Sequence, residues 1–314
     1  MINLKIRNFR VVKEADIEVK RGINILYGPN AGGKSTIIHA LLATMGIGGD
    51  ILERKLALDG TVEVIHEGNY VRYVRLDERE GRYSCKAKDM EKPYELKVDT
   101  IQELHIEDID GVQCYLKFWE EVGVRRVGYM FGDKIIVYNV GGRGSFSTIN
   151  VAKETVTLRL DDIWREEVWT QSTSKPHFFD GLYEGIRWLT DIRYLHGGYA
   201  LKGDKWIPVE LLGYGERKTL ALLLASKYSD LIVIEGFEGG LHIDLAPDLL
   251  SQLEDKIVIV ETHMGVVVGK GFERNWNIYY VENGVANRIS GPDDLLKTKL
   301  IQKEAELYTW VVRG

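Results

Sequence analysis

The chain has 314 residues, of which 45% are hydrophobic, and a formal net charge of −6. This size and composition indicate a globular protein with two modest domains or one large α/β domain. The negative charge argues against nucleic-acid binding by the charge of the whole protein, so such binding would need a local basic patch. Cys85 and Cys114 are too few for a disulfide framework or a zinc cluster, which favours a reducing compartment. No apolar run reaches membrane-spanning length and none resembles a signal peptide, so a cytoplasmic protein without membrane contact is expected.

The first fifty residues predict three strands followed by a helix. Apolar residues alternate or cluster over residues 2–6, 15–19 and 23–27, as is typical of strands. A glycine-rich segment follows the third run. A helix is expected from Ser35 to about Met45, where a second glycine cluster ends it.

The glycine-rich segment carries the strongest motif in the chain. Residues 28–35 read GPNAGGKS and fit the pattern G-x-x-x-x-G-K-S/T between a predicted strand and a predicted helix. Such a loop wraps a phosphate with backbone N–H groups at a helix N-terminus. Lys34 is expected to reach the β- and γ-phosphates, and the Ser35 hydroxyl to bind Mg²⁺. The predicted nucleotide-binding residues are Asn30, Ala31, Gly32, Gly33, Lys34, Ser35 and Thr36.

Residues 60–160 are interpreted as β-rich. Short strand-like runs at residues 61–65, 70–76 and 134–140 are separated by glycines and charged turns. Basic residues in this region could form a DNA-binding face, although ordinary surface charge is the simpler interpretation. The candidates are Arg72, Arg75, Arg125, Arg126 and Arg143.

A second glycine segment, LGYGERK over residues 212–218, precedes an apolar helix predicted at residues 219–225. One interpretation is a turn that caps this helix. The other is a second anion-binding helix N-terminus that contacts a γ-phosphate presented by another subunit. Gly213, Gly215 and Glu216 are the candidates for that contact.

Two fully apolar runs, residues 231–234 and 257–260, predict parallel strands buried on both faces, with a helix at residues 245–254 between them. Polar groups follow each strand, where α/β sheets bind their ligands. Glu235 and Glu238 could serve Mg²⁺ or a water molecule, and His263 could contact the γ-phosphate. Acids that merely end a strand, and a structural histidine, are the alternatives.

Taken in order, these motifs resemble the ABC-type ATPase heads of the RecF, SMC and OLD-like group. The matching segments are residues 4–10, 25–30, 212–216 and 235–242, with His263 in the position of the switch histidine. The resemblance implies an α/β P-loop NTPase fold with two lobes, a β-rich first lobe and a helical signature lobe. It also implies a homodimer that holds two ATP molecules with Mg²⁺ between its subunits.

The strand-end motif departs from the family pattern Asp-Glu-Pro-Glu. Glu235 stands at the metal-site aspartate, Gly236 at the catalytic glutamate, and Glu238 matches the second glutamate. The predicted catalytic residues are therefore Glu235, Glu238 and His263, the predicted metal ligands are Ser35 and Glu235, and slow hydrolysis is expected. The Q-loop glutamine is not assigned, with Gln102 and Gln113 as candidates.

The domain organisation is expected to be one composite head over residues 1–314. It comprises a phosphate-loop part (1–50), a β-rich region (51–175), a helical signature lobe (176–230) and a magnesium-site, D-loop and switch-histidine part (231–314). Heptads of an SMC coiled coil and a C-terminal Toprim domain are not expected. The expected role is DNA repair, chromosome maintenance or anti-invader defence, with DNA and a separate nuclease or effector as candidate partners. The alternatives are the ATPase subunit of a membrane transporter and an ATP-bound structural switch.

Overall fold

The structure is a computed structural model that describes residues 1–47, 60–75, 81–100, 103–105, 109–131, 134–140, 148–149, 156–159, 191–196, 199–208, 211–303 and 305–306. The strands are β1 (Ile2–Phe9), β2 (Val12–Val19), β3 (Gly22–Tyr27), β4 (Thr61–His66), β5 (Asn69–Arg75), β6 (Gly81–Lys86), β7 (Tyr94–Thr100), β8 (Glu103–His105), β9 (Arg126–Phe131), β10 (Lys134–Asn139), β11 (Thr148–Ile149), β12 (Val156–Arg159), β13 (Ile192–His196), β14 (Tyr199–Lys202), β15 (Lys205–Pro208), β16 (Leu231–Glu235), β17 (Ile257–Thr262), β18 (Asn277–Glu282) and β19 (Val285–Arg288). The helices are α1 (Lys34–Thr44), α2 (Ile109–Val122), α3 (Tyr214–Tyr228), α4 (Leu245–Ser251), α5 (Gly265–Glu273) and α6 (Pro292–Leu296).

One large sheet runs through the part of the chain that the structure describes. Its order is β11-β8-β7-β6-β5-β4-β1-β2-β19-β18-β3-β17-β16-β9-β10-β12, and β13, β14 and β15 form a second, small sheet. The centre, β18-β3-β17-β16-β9, is parallel throughout. The meander from β4 to β8 on one flank and the β9–β10 pair on the other are antiparallel. The predicted mixed α/β fold with a buried parallel core is therefore confirmed.

The central strands are buried on both faces because helices cover them on both sides. On one face, Val233 and Ile259 belong to a hydrophobic cluster that includes Leu41 of α1. On the other face, Ile234 belongs to a second cluster with Leu220 of α3 and the apolar residues of α4 and α5. Burial on both faces explains why these strands consist almost entirely of apolar residues.

The helices differ from the sequence prediction in three places. Helix α3 begins at Tyr214, five residues before the predicted apolar run, and α4 ends at Ser251 instead of residue 254. Helix α2 lies within the region interpreted as β-rich and carries Gln113 on its exposed side, whereas Gln102 lies outside the described residues. No helix in the described ranges is long and apolar enough to cross a membrane.

The two cysteines, which the sequence interpretation assigned to no disulfide framework, are joined in a disulfide bond. That interpretation is wrong because α2 packs over the β5–β7 meander and places Cys114 with its Cα 6.0 Å from that of Cys85 on β6. The two residues are 29 positions apart, and both are buried. The argument from cysteine usage for a reducing compartment no longer holds.

Candidate functional site

The phosphate loop between β3 and α1 is held in place by the end of β18. Ala31 and Gly33 adopt positive φ angles of 59° and 112°, which turn the chain into the helix. A Cβ at Gly28 or Gly32 would lie 2.2 or 2.4 Å from the carbonyl oxygen of Val281. Both positions therefore require glycine, because the loop packs directly on backbone.

Lys34, the first residue of α1, points back over this loop. It is buried, and its Nζ donates hydrogen bonds to the carbonyl oxygens of Gly28 (3.0 Å) and Pro29 (2.8 Å). Burial lowers the pKa of the Lys34 ammonium, and the negative charges of Glu261 and Glu238 oppose that shift. A buried cation over a loop of glycines is suited to an anionic group such as a phosphate.

Ser35, the predicted metal ligand, contacts an acid that the sequence reasoning missed. Its Oγ donates to Oε2 of Glu261 at 2.7 Å. Burial raises the pKa of the Glu261 carboxyl, against the hydrogen bond from Ser35 and the charge of Lys34. The available signal was the position of Glu261 at the end of an apolar strand, which matches that of Glu235.

Glu235 lies at the end of the neighbouring strand β16, where two other side chains contact its carboxylate. The Tyr129 hydroxyl donates to Oε2 at 2.7 Å, and Nε2 of His39 lies 2.9 Å from Oε1. Burial and the negative Glu235 carboxylate raise the pKa of the Tyr129 hydroxyl. On the other side of the ring, Arg10 donates to Nδ1 of His39 at 2.8 Å.

Glu238 and His263, predicted from separate motifs, lie side by side. Oε1 of Glu238 accepts hydrogen bonds from the Thr262 hydroxyl at 2.5 Å and from the backbone N–H of His263. Gly236, between the two acids, has a φ of 58°, and a Cβ there would meet no atom within 4 Å. The predicted catalytic residues thus share one edge of the sheet, but Glu235 and Glu238 have different partners.

The loop that carries Glu238 is held by a buried lysine of α3, another residue that the sequence reasoning missed. Nζ of Lys218 donates to the carbonyl oxygens of Gly236 (2.9 Å), Phe237 (2.9 Å) and Gly239 (3.1 Å). The side chain is fully buried, and burial lowers the pKa of Lys218 to about 8. The signature helix and the strand-end loop are therefore connected within one protomer.

The signature segment at the start of α3 is fixed by contacts of its own. Oε2 of Glu216 accepts from the backbone N–H of Gly213 at 3.1 Å, and Oε1 accepts from Nζ of Lys202 at 2.7 Å. A Cβ at Gly215 would lie 2.3 Å from the carbonyl oxygen of Gly240. Gly213 is exposed, so the N-terminus of the helix is accessible from outside.

Two of the candidate DNA-binding arginines form ion pairs with carboxylates. Arg72 pairs with Glu63 at 2.9 Å, and Arg125 pairs with Glu120 at 2.9 Å. Arg143 and the side chain of Arg75 lie outside the described residues. These ion pairs are what ordinary surface charge would produce.

The polar groups at the carboxyl edge of the central strands fit a nucleotide with Mg²⁺. Backbone N–H groups and Lys34 suit phosphate oxygens, and hydroxyl and carboxylate oxygens are the ligands that Mg²⁺ prefers. Within the described ranges, no group of three or more His, Cys, Asp or Glu side chains could hold a metal ion. In nucleotide sites, Mg²⁺ is commonly bound by one or two carboxylates together with the substrate phosphates.

One domain-family profile and two solved structures are similar to this chain. The profile of the AAA domain family matches residues 3–136. Among solved structures, the SMC head domain from Thermotoga maritima is 17% identical and covers 92% of this chain and 98% of its own, with a TM-score of 0.48. An SMC head bound to the C-winged helix domain of ScpA is 15% identical and covers 92% and 97%, with a TM-score of 0.45. No curated protein matches with significant similarity.

Fold and site together define a P-loop NTPase fold of mixed α/β class, with the phosphate loop inside the segment that matches the AAA domain. More narrowly, the match to the AAA domain over residues 3–136 agrees with the predicted ABC-type ATPase head of the SMC and RecF group.

Proposed function

We propose that this protein binds ATP with Mg²⁺, hydrolyses it slowly and uses it to join two copies of the chain. The observation that carries the proposal is the arrangement at the carboxyl edge of the central strands. A glycine loop that requires its glycines, a buried lysine and a hydroxyl–carboxylate pair lie together there. The N-terminus of the signature helix provides the surface for a second subunit.

Lys34 and the phosphate loop would bind the nucleotide. Lys34 would exchange its hydrogen bonds to the Gly28 and Pro29 carbonyls for phosphate oxygens, a change that keeps the ammonium partnered. Ser35, with a carboxylate beside it, would hold Mg²⁺. The ion would neutralise phosphate charge as it builds up during transfer to water. The chain's own contribution is thus positioning and charge.

Water activation is assigned to Glu238, with His263 contacting the γ-phosphate, because Gly236 offers no side chain. Glu238→Gln is a clean test, since an amide oxygen can still accept from Thr262 and from the His263 backbone. We expect turnover to fall by roughly 10²–10⁴-fold with little change in ATP affinity, measured by phosphate release. His263→Ala keeps the backbone N–H and should also slow the reaction. Turnover at the wild-type rate in Glu238→Gln would remove Glu238 as the base.

ATP-dependent association is best tested at Gly213. A side chain at Gly215 would collide with Gly240 of the same protomer, whereas a Cβ at Gly213 would meet only the Glu216 carboxylate, at 3.4 Å. Light scattering with a non-hydrolysable ATP analogue and Mg²⁺ should show a shift to dimer in the wild type and no shift in Gly213→Arg. Identical masses with and without nucleotide in the wild type would contradict the dimer.

The proposed setting is DNA repair, chromosome maintenance or anti-invader defence, with a separate partner protein and with DNA as a further candidate ligand. Purification of the tagged chain from its own cells distinguishes this setting from the alternative. Recovery with a nuclease or another DNA-handling protein supports the setting, whereas a membrane protein would favour a transporter subunit. A phosphate-release rate that is indistinguishable from buffer would favour an ATP-bound switch.

A further inference from the structure

We propose that Glu261, rather than Glu235, is the carboxylate that holds the magnesium ion together with the Ser35 hydroxyl. This inference rests on the proposed function, because it assumes that Mg²⁺ arrives with ATP at the phosphate loop. The observation behind it is the contact between Ser35 Oγ and Glu261 Oε2 at 2.7 Å. Two oxygen donors at that distance can bind one small cation between them and the phosphates.

The strand order explains why Glu261 reaches this position. β17 lies directly beside the phosphate-loop strand β3, and Glu261 is in register with Leu26. β16 is one strand farther away, so Glu235 stands about 4.8 Å farther along the sheet. Leu26 and Ile259 belong to the cluster under α1, so the alternation along β17 puts Glu261 on the face that α1 covers.

The Glu235 carboxylate contacts side chains other than Ser35. The Tyr129 hydroxyl donates to Oε2 of Glu235, whereas Nε2 of His39 lies 2.9 Å from Oε1 without forming a hydrogen bond. Arg10 in turn holds His39. These contacts connect Glu235 to β9, α1 and the β1–β2 turn, so its position suits an anchor that stabilises the site.

The charge of Glu261 makes the proposal testable. A carboxylate beside the phosphate loop repels nucleotide phosphates when no metal is present, and it attracts the metal when one is. Removing the charge of Glu261 should therefore strengthen the binding of nucleotide without metal and weaken the binding of the metal. A damaged fold would weaken both.

The experiment compares Glu261→Gln with Glu235→Gln, the variant that tests the competing assignment of the metal ligand. Each amide can still accept the hydrogen bond that the carboxylate accepts now, from Ser35 or from Tyr129. Affinity for a non-hydrolysable ATP analogue is measured by calorimetry, once with chelator and once with Mg²⁺. Binding of Mn²⁺ to each nucleotide complex is measured by electron paramagnetic resonance.

For Glu261→Gln we expect metal-free nucleotide affinity to rise by about two- to tenfold, and the gain on adding Mg²⁺ to fall by about tenfold or more. Mn²⁺ affinity should fall with it, and both losses should be larger in Glu261→Gln than in Glu235→Gln. Loss of the Mg²⁺ gain in Glu235→Gln, with Glu261→Gln unchanged, would overturn the proposal. If wild-type protein binds no nucleotide with or without Mg²⁺, the proposed function itself fails, and the metal assignment fails with it.

Discussion

Two glycine loops lie at the same edge of the central sheet, residues 28–33 after β3 and residues 236–240 after β16, and a buried lysine holds each of them. Lys34 donates to two carbonyls of the first loop, and Lys218 donates to three carbonyls of the second. The difference lies in where the lysine comes from. Lys34 starts the helix that follows its own loop, whereas Lys218 belongs to the signature helix α3, about twenty residues before its loop.

The two loops therefore depend on different parts of the chain. The first is shaped locally and by the Val281 carbonyl, which leaves no room for a Cβ at Gly28 or Gly32. The second loop is held by Lys218 of α3, a helix whose N-cap residue Gly213 is exposed. Lys218 thereby connects α3 to the backbone on both sides of Glu238.

The largest expected effect is on nucleotide binding by the first loop. Lys34→Ala removes the charge that would pair with phosphate, and ATP affinity should fall by roughly 2–5 kcal/mol. Calorimetry measures this, with Lys218→Met as the control that should bind ATP nearly as well as wild type. Wild-type affinity in Lys34→Ala would refute the assignment of the nucleotide site.

For the second loop, the expected effect is on stability. Lys218→Met keeps much of the buried volume but leaves carbonyls of Gly236, Phe237 and Gly239 without their donor, so the free energy of unfolding should fall by about 2–3 kcal/mol. Denaturant titration measures the loss. An unchanged midpoint would mean that the lysine does not support the loop, and the comparison of the two loops would fail.

A smaller effect follows from the pKa of Lys218. Burial lowers it to about 8 in the folded protein, below the 10.5 of a free lysine. Between these values the unfolded chain binds more protons, so this group makes the free energy of unfolding rise with pH, by about 1–2 kcal/mol between pH 8 and pH 9.5. Denaturation at several pH values should show this rise in wild type and not in Lys218→Met. Parallel pH curves for the two proteins would contradict it.

The smallest expected effect is the difference in stability loss when a glycine of one loop or the other is replaced by alanine. Gly236→Ala should cost about 1 kcal/mol, because the φ of 58° disfavours a side chain although a Cβ there meets no atom within 4 Å. Gly32→Ala, with a Cβ 2.4 Å from the Val281 carbonyl oxygen, should cost more and should also impair ATP binding. Thermal unfolding of the two variants side by side tests the order. Equal losses of stability would mean that the first loop accommodates a Cβ as easily as the second.

Much of the fold could be predicted because its signals are local. The phosphate loop is a contiguous motif, and the apolar runs of β16 and β17 indicated buried parallel strands. Helix α2 could also have been found, since Val112, Tyr115 and Trp119 recur at helical spacing and are buried. It was missed because strand-like runs flank it on both sides.

The rest of the site depends on contacts between distant parts of the chain. Glu261 lies 226 residues from Ser35, and their contact depends on β17 being the strand next to β3. In the sequence, Lys218 is one of several charged residues near the start of a predicted helix, and nothing marks it as buried. Its burial depends on how α3 packs against the loop after β16. The roles of Glu235, Glu238 and His263 stay predictions.

The bond between Cys85 and Cys114 turns residues 85–114 into a closed ring within the chain. One proteolytic cut between these cysteines opens the ring without dividing the molecule, so the product keeps its full mass on a non-reducing gel. Addition of a reductant would then release two fragments. A cut anywhere else in the chain separates two pieces at once, so the redox state of the sample decides how a single cleavage in this segment is observed.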